Sequence, residues 1–219
     1  MAPDGTVLVG CRDRKLYAVD AAGALRWTIQ TGGPVEAAPC VHPDGLVVFG
    51  SYDGVLRAAT LDGAIAWERD LGAPVMTTPC LDADGRLWLG ADDGHVYAFD
   101  AGGAMKLRAR VSDLVAASPV CDGAEVWFAD STLRNTAGRA VSLGDDPVVA
   151  PPALGDDGEL YVGSWDGKLR KITSSSVEWA VDTGGQIYGG AAVGRDGTVV
   201  VGNRAGVVMA IAPTSEVLW

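Results

Sequence analysis

The side chains able to do chemistry in this 219-residue chain are few and regularly placed. Cys40 and Cys80 each follow a proline and stand forty residues apart, with Cys121 one residue off the same register. Repeated thiols suggest a metal. Zinc sites, however, use paired Cys-x2–4-Cys ligands with histidine partners, and the only histidines are His42 and His95. Residues one repeat apart are also expected to exceed the ~4.4–6.8 Å Cα separation a disulfide spans. The cysteines therefore read as small, buried, reduced thiols, and the two histidines as exposed turn residues. Asp82-Ala83-Asp84-Gly85 and Asp156-Asp157-Gly158-Glu159 lack the spaced oxygen donors of a calcium loop. There is no Gly-x-Ser-x-Gly elbow, phosphate loop or His-Glu-x-x-His. These observations assign no catalytic group, metal or cofactor.

Nine other residues are better placed to bind something. Arg12, Tyr52, Asp92, Asp130, Trp165 and Arg204 occupy one kind of short turn, whose frame is constant while its residues vary. Glu36, Met76 and Tyr188 stand at the starts of neighbouring runs. Binding residues concentrate on loops carried by a rigid scaffold, and exposed tyrosine, tryptophan and arginine are the commonest interface anchors.

The elements that must hold these residues repeat with a period near forty. Asp-Gly recurs at residues 4, 44, 84, 122, 157 and 196. Trp27 and Trp67 are forty apart, as are Trp179 and Trp219; so are Pro39, Pro79 and Pro119, and Gly10, Gly50 and Gly90. After each Asp-Gly comes a short apolar run such as Leu46-Val47-Val48-Phe49 or Glu159-Leu160-Tyr161-Val162. An alternating run such as His95 to Asp100 follows, then a Trp-bearing run, then a run carrying proline. Short, β-branched, Gly-bounded runs are strands. Asp-Gly suits the primed hairpin turns, whose central residues need positive φ. No stretch shows a 3.6-residue apolar period. Four strands per forty residues predict an all-β chain built as a β-propeller, with one four-stranded antiparallel blade per repeat.

The repeat resembles that of the pyrroloquinoline quinone (PQQ)-like propeller family, whose docking motif runs roughly Ala-x-Asp-x-x-x-Gly-x-x-x-Trp. Ala18, Asp20, Gly23 and Trp27 fit with one residue fewer at the turn; Ala98, Asp100 and Gly103 fit without the Trp; Gly63 and Trp67 fit with Thr60 in the Asp slot. The resemblance spans essentially the whole chain and implies the fold. It implies no quinone cofactor, because the quinone-dependent members are larger eight-bladed rings, and their calcium site and catalytic carboxylates have no counterparts here.

Six units contain the three strands from Asp-Gly to the Trp slot, but only five proline-type runs lie between them, at residues 34–42, 74–82, 114–121, 147–154 and 186–194. The expected count is 23 strands in a single domain over residues 1–219. That is six blades with one lacking its innermost strand, or five if the short unit from Asp122 to Asp156 forms no blade. The Trp set is expected to pack between neighbouring blades, and the variable turns to lie on one face around the channel mouth.

The formal net charge is −11, which argues against nucleic-acid binding and against an anionic membrane surface. Ten Asp residues stand directly before Gly (positions 4, 44, 53, 62, 84, 93, 122, 157, 166 and 196), so turn chemistry supplies much of that charge. No run approaches the ~20 apolar residues of a spanning helix, and Met1-Ala2-Pro3-Asp4-Gly5 is not a signal peptide. The expectation is a cytoplasmic, non-catalytic scaffold that binds a protein or peptide through the nine residues. One alternative is a small-molecule enzyme at the channel mouth, with Glu36, Tyr188 and Asp92 as acid–base groups. Another is a structural module of an envelope assembly factor.

Overall fold

The computed structural model describes residues 1–111, 115–173 and 176–219. All regular elements among them are strands, arranged in six antiparallel sheets. Two compact units make up the chain, Met1–Val115 and Ala116–Trp219.

The first unit holds three sheets. Sheet 1 comprises β1 (Val7–Cys11), β2 (Lys15–Val19) and β3 (Leu25–Gln30); sheet 2 comprises β4 (Cys40–Val41), β5 (Leu46–Gly50), β6 (Val55–Thr60) and β7 (Ile65–Asp70). Sheet 3 comprises β8 (Cys80–Leu81), β9 (Leu87–Gly90), β10 (His95–Phe99) and β11 (Met105–Arg110). The second unit holds the other three. Sheet 4 comprises β12 (Val120–Cys121), β13 (Val126–Ala129), β14 (Thr132–Asn135) and β15 (Ala140–Ser142); sheet 5 comprises β16 (Ala153–Leu154), β17 (Leu160–Gly163), β18 (Lys168–Thr173) and β19 (Ser176–Asp182). Sheet 6 comprises β20 (Ala192–Val193), β21 (Val199–Gly202) and β22 (Val208–Ile211). The short fourth repeat thus forms a sheet of its own, and the five-blade alternative falls.

Sheets pack face to face within each unit. Leu8, Leu16 and Ile29 of sheet 1 meet Val47, Phe49 and Ala59 of sheet 2. Val48 and Leu56 of sheet 2 meet Leu87, Leu89, Tyr97 and Phe99 of sheet 3. In the second unit Leu133 and Val141 meet Leu160 and Val162, and Tyr161 and Leu169 meet Val199, Val201 and Ile211. This is why β5, β9, β13 and β17 are apolar with little alternation: β9, β13 and β17 are buried throughout and β5 nearly so.

The tryptophans lock one sheet to the next, as expected for three of the four. The indole N–H groups of Trp27, Trp67 and Trp179 donate to the carbonyls of Leu61 (2.8 Å), Ala101 (2.8 Å) and Pro213 (2.9 Å), each 34 residues on. Trp67 lies over the turn at Gly103, where a Cβ would fall 2.7 Å from the indole and φ is +76°. Only glycine satisfies both constraints. Trp219 departs from the pattern and is 65 % exposed.

Other expectations need correction. The proline-type runs are only two residues long as strands; β4, β8, β12 and β16 each follow directly on a proline, which has no N–H for a ladder, whereas β20 follows Ala191. Leu114, the expected start of the third run, lies outside the described residues. Twenty-two strands are found among the described residues rather than 23. The last Trp-bearing run is reduced to a bridge between Ile211 and Val217, with Ala210 N–H bonded to the Trp219 carbonyl and Leu218 N–H to that of Ala210.

The Asp-Gly turns are not primed either. In Asp53-Gly54, Asp93-Gly94 and Asp166-Gly167 only the glycine has positive φ. The aspartate instead accepts the N–H two residues on, as in Val55 to Asp53 (2.9 Å) and Lys168 to Asp166 (3.0 Å). His42 is buried, not exposed: Nδ1 accepts the Asp44 N–H (3.1 Å), which leaves Nε2–H to donate to the Gly85 carbonyl (2.9 Å). Cys11 and Cys40 are free thiols, whereas Cys80 and Cys121 are disulfide-bonded rather than reduced.

Among the described residues sheet 1 has no innermost strand, as the count predicts. β1 pairs only with β2, and Val7 and Val9 are 42 % and 47 % exposed. Its counterpart β5 is paired on both sides, and Val47 and Phe49 are fully buried. Amide hydrogen exchange is expected to be at least about tenfold faster in β1 than in β5. Equal protection in the two strands would remove the open edge.

Candidate functional site

The turn that carries most candidate residues joins the second and third strands of each repeat's four. It is fixed by an interaction the sequence reading missed. In five of six sheets the turn aspartate is gripped by the residue four positions on, which is either Arg or Tyr. The pairs are Asp13–Tyr17, Asp53–Arg57 (2.8 Å), Asp93–Tyr97 (2.7 Å), Asp130–Arg134 (2.8 Å) and Asp166–Arg170. The signal was present as a recurrent Arg or Tyr at i+4. Sheet 6 has Ala205 and Met209 in these slots.

This grip sets several ionisations. Burial alone would raise the Asp53 carboxyl, but bonds from Arg57, the Ser51 hydroxyl and the Val55 and Gly32 N–H groups bring it down to about 2. Burial, with a hydrogen bond to Asp93, pushes the Tyr97 phenol up to about 12. Asp130, one of the nine candidates, belongs to this structural set. It accepts Arg134 and the Thr132 N–H (2.7 Å) and faces its own turn.

One position before the gripped aspartate stands the displayed residue. In four sheets its backbone N–H is pinned by a carbonyl of the preceding proline-type segment: Tyr52 to Pro34 (2.9 Å), Asp92 to Pro74 (3.0 Å), Trp165 to Pro147 (3.1 Å) and Arg204 to Gln186 (2.8 Å). The side chain two residues past each of those carbonyls therefore neighbours the displayed one. Glu36, Met76 and Tyr188 are such residues.

In the first unit this brings Arg12, Glu36 and Tyr52 together. Arg12 Nε donates to Glu36 Oε1 (2.6 Å), and the Tyr52 hydroxyl donates to Glu36 Oε2 (2.9 Å). Burial, then the Glu36 hydrogen bond, raises the Tyr52 phenol, which remains 37 % exposed. Half-buried Met76 precedes the segment's second proline, Pro79. Asp92 is half-buried, with one carboxylate oxygen enclosed and without a hydrogen-bond partner among the described residues. Burial and the neighbouring Asp93 charge raise its carboxyl.

In the second unit Trp165, Tyr188 and Arg204 converge. The Trp165 and Tyr188 rings lie 5.3 Å apart, and the Arg204 guanidinium sits 5.3 Å above the Tyr188 ring. Arg204 also donates to the Tyr188 hydroxyl (3.1 Å). Tyr188, Gly189, Gly202, Asn203 and Arg204 line a cleft of about 460 Å³. An aromatic pair with a guanidinium stacked on it presents apolar area at low entropic cost, edged by hydrogen-bond donors.

The comparisons with known proteins bear on the fold. A family model described as outer membrane protein assembly factor BamB matches residues 1–81. A search of curated proteins found no match. Among solved structures, BamB from Moraxella catarrhalis superposes with a TM-score of 0.79 at 18 % identity, over 100 % of this chain and 73 % of that one. The WD40 β-propeller domain of Doa1 superposes with a TM-score of 0.75 at 15 % identity, over 93 % of this chain and 74 % of that one. The fold is that of a β-propeller. The family match and the BamB neighbour support a PQQ-like β-propeller family.

Proposed function

We propose that the chain is a non-catalytic propeller scaffold that binds a protein or peptide partner through its displayed turn residues. The observation that carries this is the Trp165–Tyr188–Arg204 cluster beside an open cleft. Tyrosine, tryptophan and arginine dominate interface energetics, and a hairpin framework with tied aspartates holds them at the turns. The family model's description as an assembly factor favours a protein ligand over a small molecule. The acid–base alternative is weakened at Glu36, whose two oxygens are already engaged by Arg12 and Tyr52. The net charge of −11 directs the reading away from nucleic acid.

The test is selection of peptides from a displayed random library on the wild-type protein, followed by titration of the tightest against variants. Trp165→Ala is expected to weaken binding roughly 30-fold, the scale of a hot-spot residue. Selected peptides that bind Trp165→Ala and Tyr52→Ala as tightly as wild type would contradict the proposal.

A further inference from the structure

Along the displayed turns of the first unit, side chains from turns and from proline-type segments alternate in one row: Arg12, Glu36, Tyr52, Met76 and Asp92. Backbone bonds set that order. The Pro34 carbonyl holds the Tyr52 N–H (2.9 Å) and the Pro74 carbonyl the Asp92 N–H (3.0 Å), while Val35 and Val75 donate to the Cys11 and Ser51 carbonyls (both 3.0 Å). Each proline-type segment is thus clamped between two successive turns, with Glu36 or Met76 next along it. Glu36 touches the turn residue on either side, Arg12 (2.6 Å) and Tyr52 (2.9 Å). Tyr188 does the same in the second unit with Trp165 and Arg204. Met76 accordingly stands between Tyr52 and Asp92.

Neighbouring carboxylates are each matched by a cation of the chain: Glu36 by Arg12 (2.6 Å), Asp53 by Arg57 (2.8 Å) and Asp93 by Arg108 (3.1 Å). Asp92 has no such match among the described residues, and its enclosed Oδ1 accepts no hydrogen bond there. An enclosed carboxylate oxygen without a donor is costly. The fold does not demand it, because the same slot holds Tyr52, Trp165 and Arg204 in other sheets. After burial and the Glu36 contacts, the Asp92 charge is a further cause of the raised Tyr52 phenol, so the two groups share one electrostatic patch. An exposed aromatic ring attracts a cation, and a thioether adapts its shape to an alkyl stem.

We propose that Tyr52, Met76 and Asp92 form a subsite for a lysine or arginine side chain of the partner peptide. The ammonium or guanidinium would pair with Asp92, and its methylene stem would lie along Met76 and the Tyr52 ring. Arg204, 5.3 Å above the Tyr188 ring, makes the same ring-and-cation pairing within the chain. The net charge of −11 favours the approach of a basic segment. The inference deepens the binding-scaffold reading by naming the partner's chemistry, and rests on it.

The probe is acetylated, amidated tetralysine, titrated into the intact protein with ¹³C-labelled methionine methyl groups; tetraglutamine with the same end groups is the neutral comparison. The chain has four methionines, and the Met76 signal is identified by its loss in Met76→Leu. Tetralysine is expected to shift that signal saturably, and tetraglutamine to bind at least about tenfold more weakly. Asp92→Asn is expected to weaken tetralysine at least about tenfold, the scale of losing a charge partner. Asp62→Asn, the same charge change at an exposed turn, is expected to alter it by no more than about twofold. An unmoved Met76 signal, equal binding of the two peptides, or equal losses in Asp62→Asn and Asp92→Asn would overturn the subsite. The two-peptide comparison decides the matter on the unaltered protein should Asp92→Asn misfold. Library peptides insensitive to Trp165→Ala and Tyr52→Ala would instead overturn the scaffold reading, so the two failures are told apart.

Discussion

Arg57→Ala is expected to lower the free energy of unfolding by about 3–5 kcal/mol, the loss typical when one partner is removed from a buried ion pair. The Arg57 side chain is 10 % exposed and that of Asp53 13 %, at 2.8 Å from each other. Arg57 also donates to Glu68 (2.8 Å), across to β7. Removing it strands the Asp53 charge between sheets, with only Ser51 and two backbone N–H groups to hold it. Arg57→Lys keeps the charge but loses the planar fork, and is expected to fall between.

The pH dependence has a fixed sign. Asp53 titrates near 2 in the folded protein against ~3.9 in the unfolded chain. Its contribution is complete above pH ~4 and is lost as pH falls toward 2. Urea unfolding at pH 7, 4 and 2.5 checks both claims: wild type should lose stability over the acid window, and Arg57→Ala should lose less, since its Asp53 has less to forfeit. A variant as stable as wild type at pH 7 would mean that the grip is ornamental.

Trp67→Ala is expected to cost about 3–5 kcal/mol, the range for deleting a large packed aromatic. The indole covers the Gly103 turn, stacks on Phe99 at 6.5 Å, lies beneath the Arg69 guanidinium at 5.6 Å and bonds to Ala101. Removing it opens the junction between sheets 2 and 3 and leaves the Ala101 carbonyl without that donor. Trp219→Ala is the internal control: at 65 % exposure it is expected to change stability by no more than about 0.5 kcal/mol. Thermal unfolding of the two variants side by side measures the contrast, and equal losses would refute the docking role of the repeated tryptophan.

Much of this architecture was legible because the repeat states it six times. The strand runs, the Trp junctions and the missing inner strand of sheet 1 followed from spacing alone. Trp219 shares the spacing of Trp179 but not its burial, because packing needs a neighbouring turn, and a period reports only position along the chain. His42 was misread for a related reason. Its place before Pro43-Asp44 marks a turn, whereas its burial comes from Gly85, 43 residues away.

The turn aspartates were credited with positive φ, when glycine alone adopts it and the carboxylates cap N–H groups instead. The turn alignment put the nine candidates on one face without pairing them; that Arg12 meets Glu36 and Tyr52, and that Trp165 meets Tyr188 and Arg204, is visible only in space. Asp130 was misplaced by one position. The fourth repeat is short, so its aspartate falls in the gripped slot rather than the displayed one.

The most direct measurement of the central claim is the indole N–H spectrum of the protein labelled with ¹⁵N. The chain has seven tryptophans, and the account gives them different work. Titration with a library-selected peptide should shift the Trp165 resonance, identified by its loss in Trp165→Phe, while those of Trp27, Trp67 and Trp179 stay in place within their junctions. A peptide that binds and moves the junction tryptophans but leaves Trp165 unmoved would contradict binding through the displayed turns.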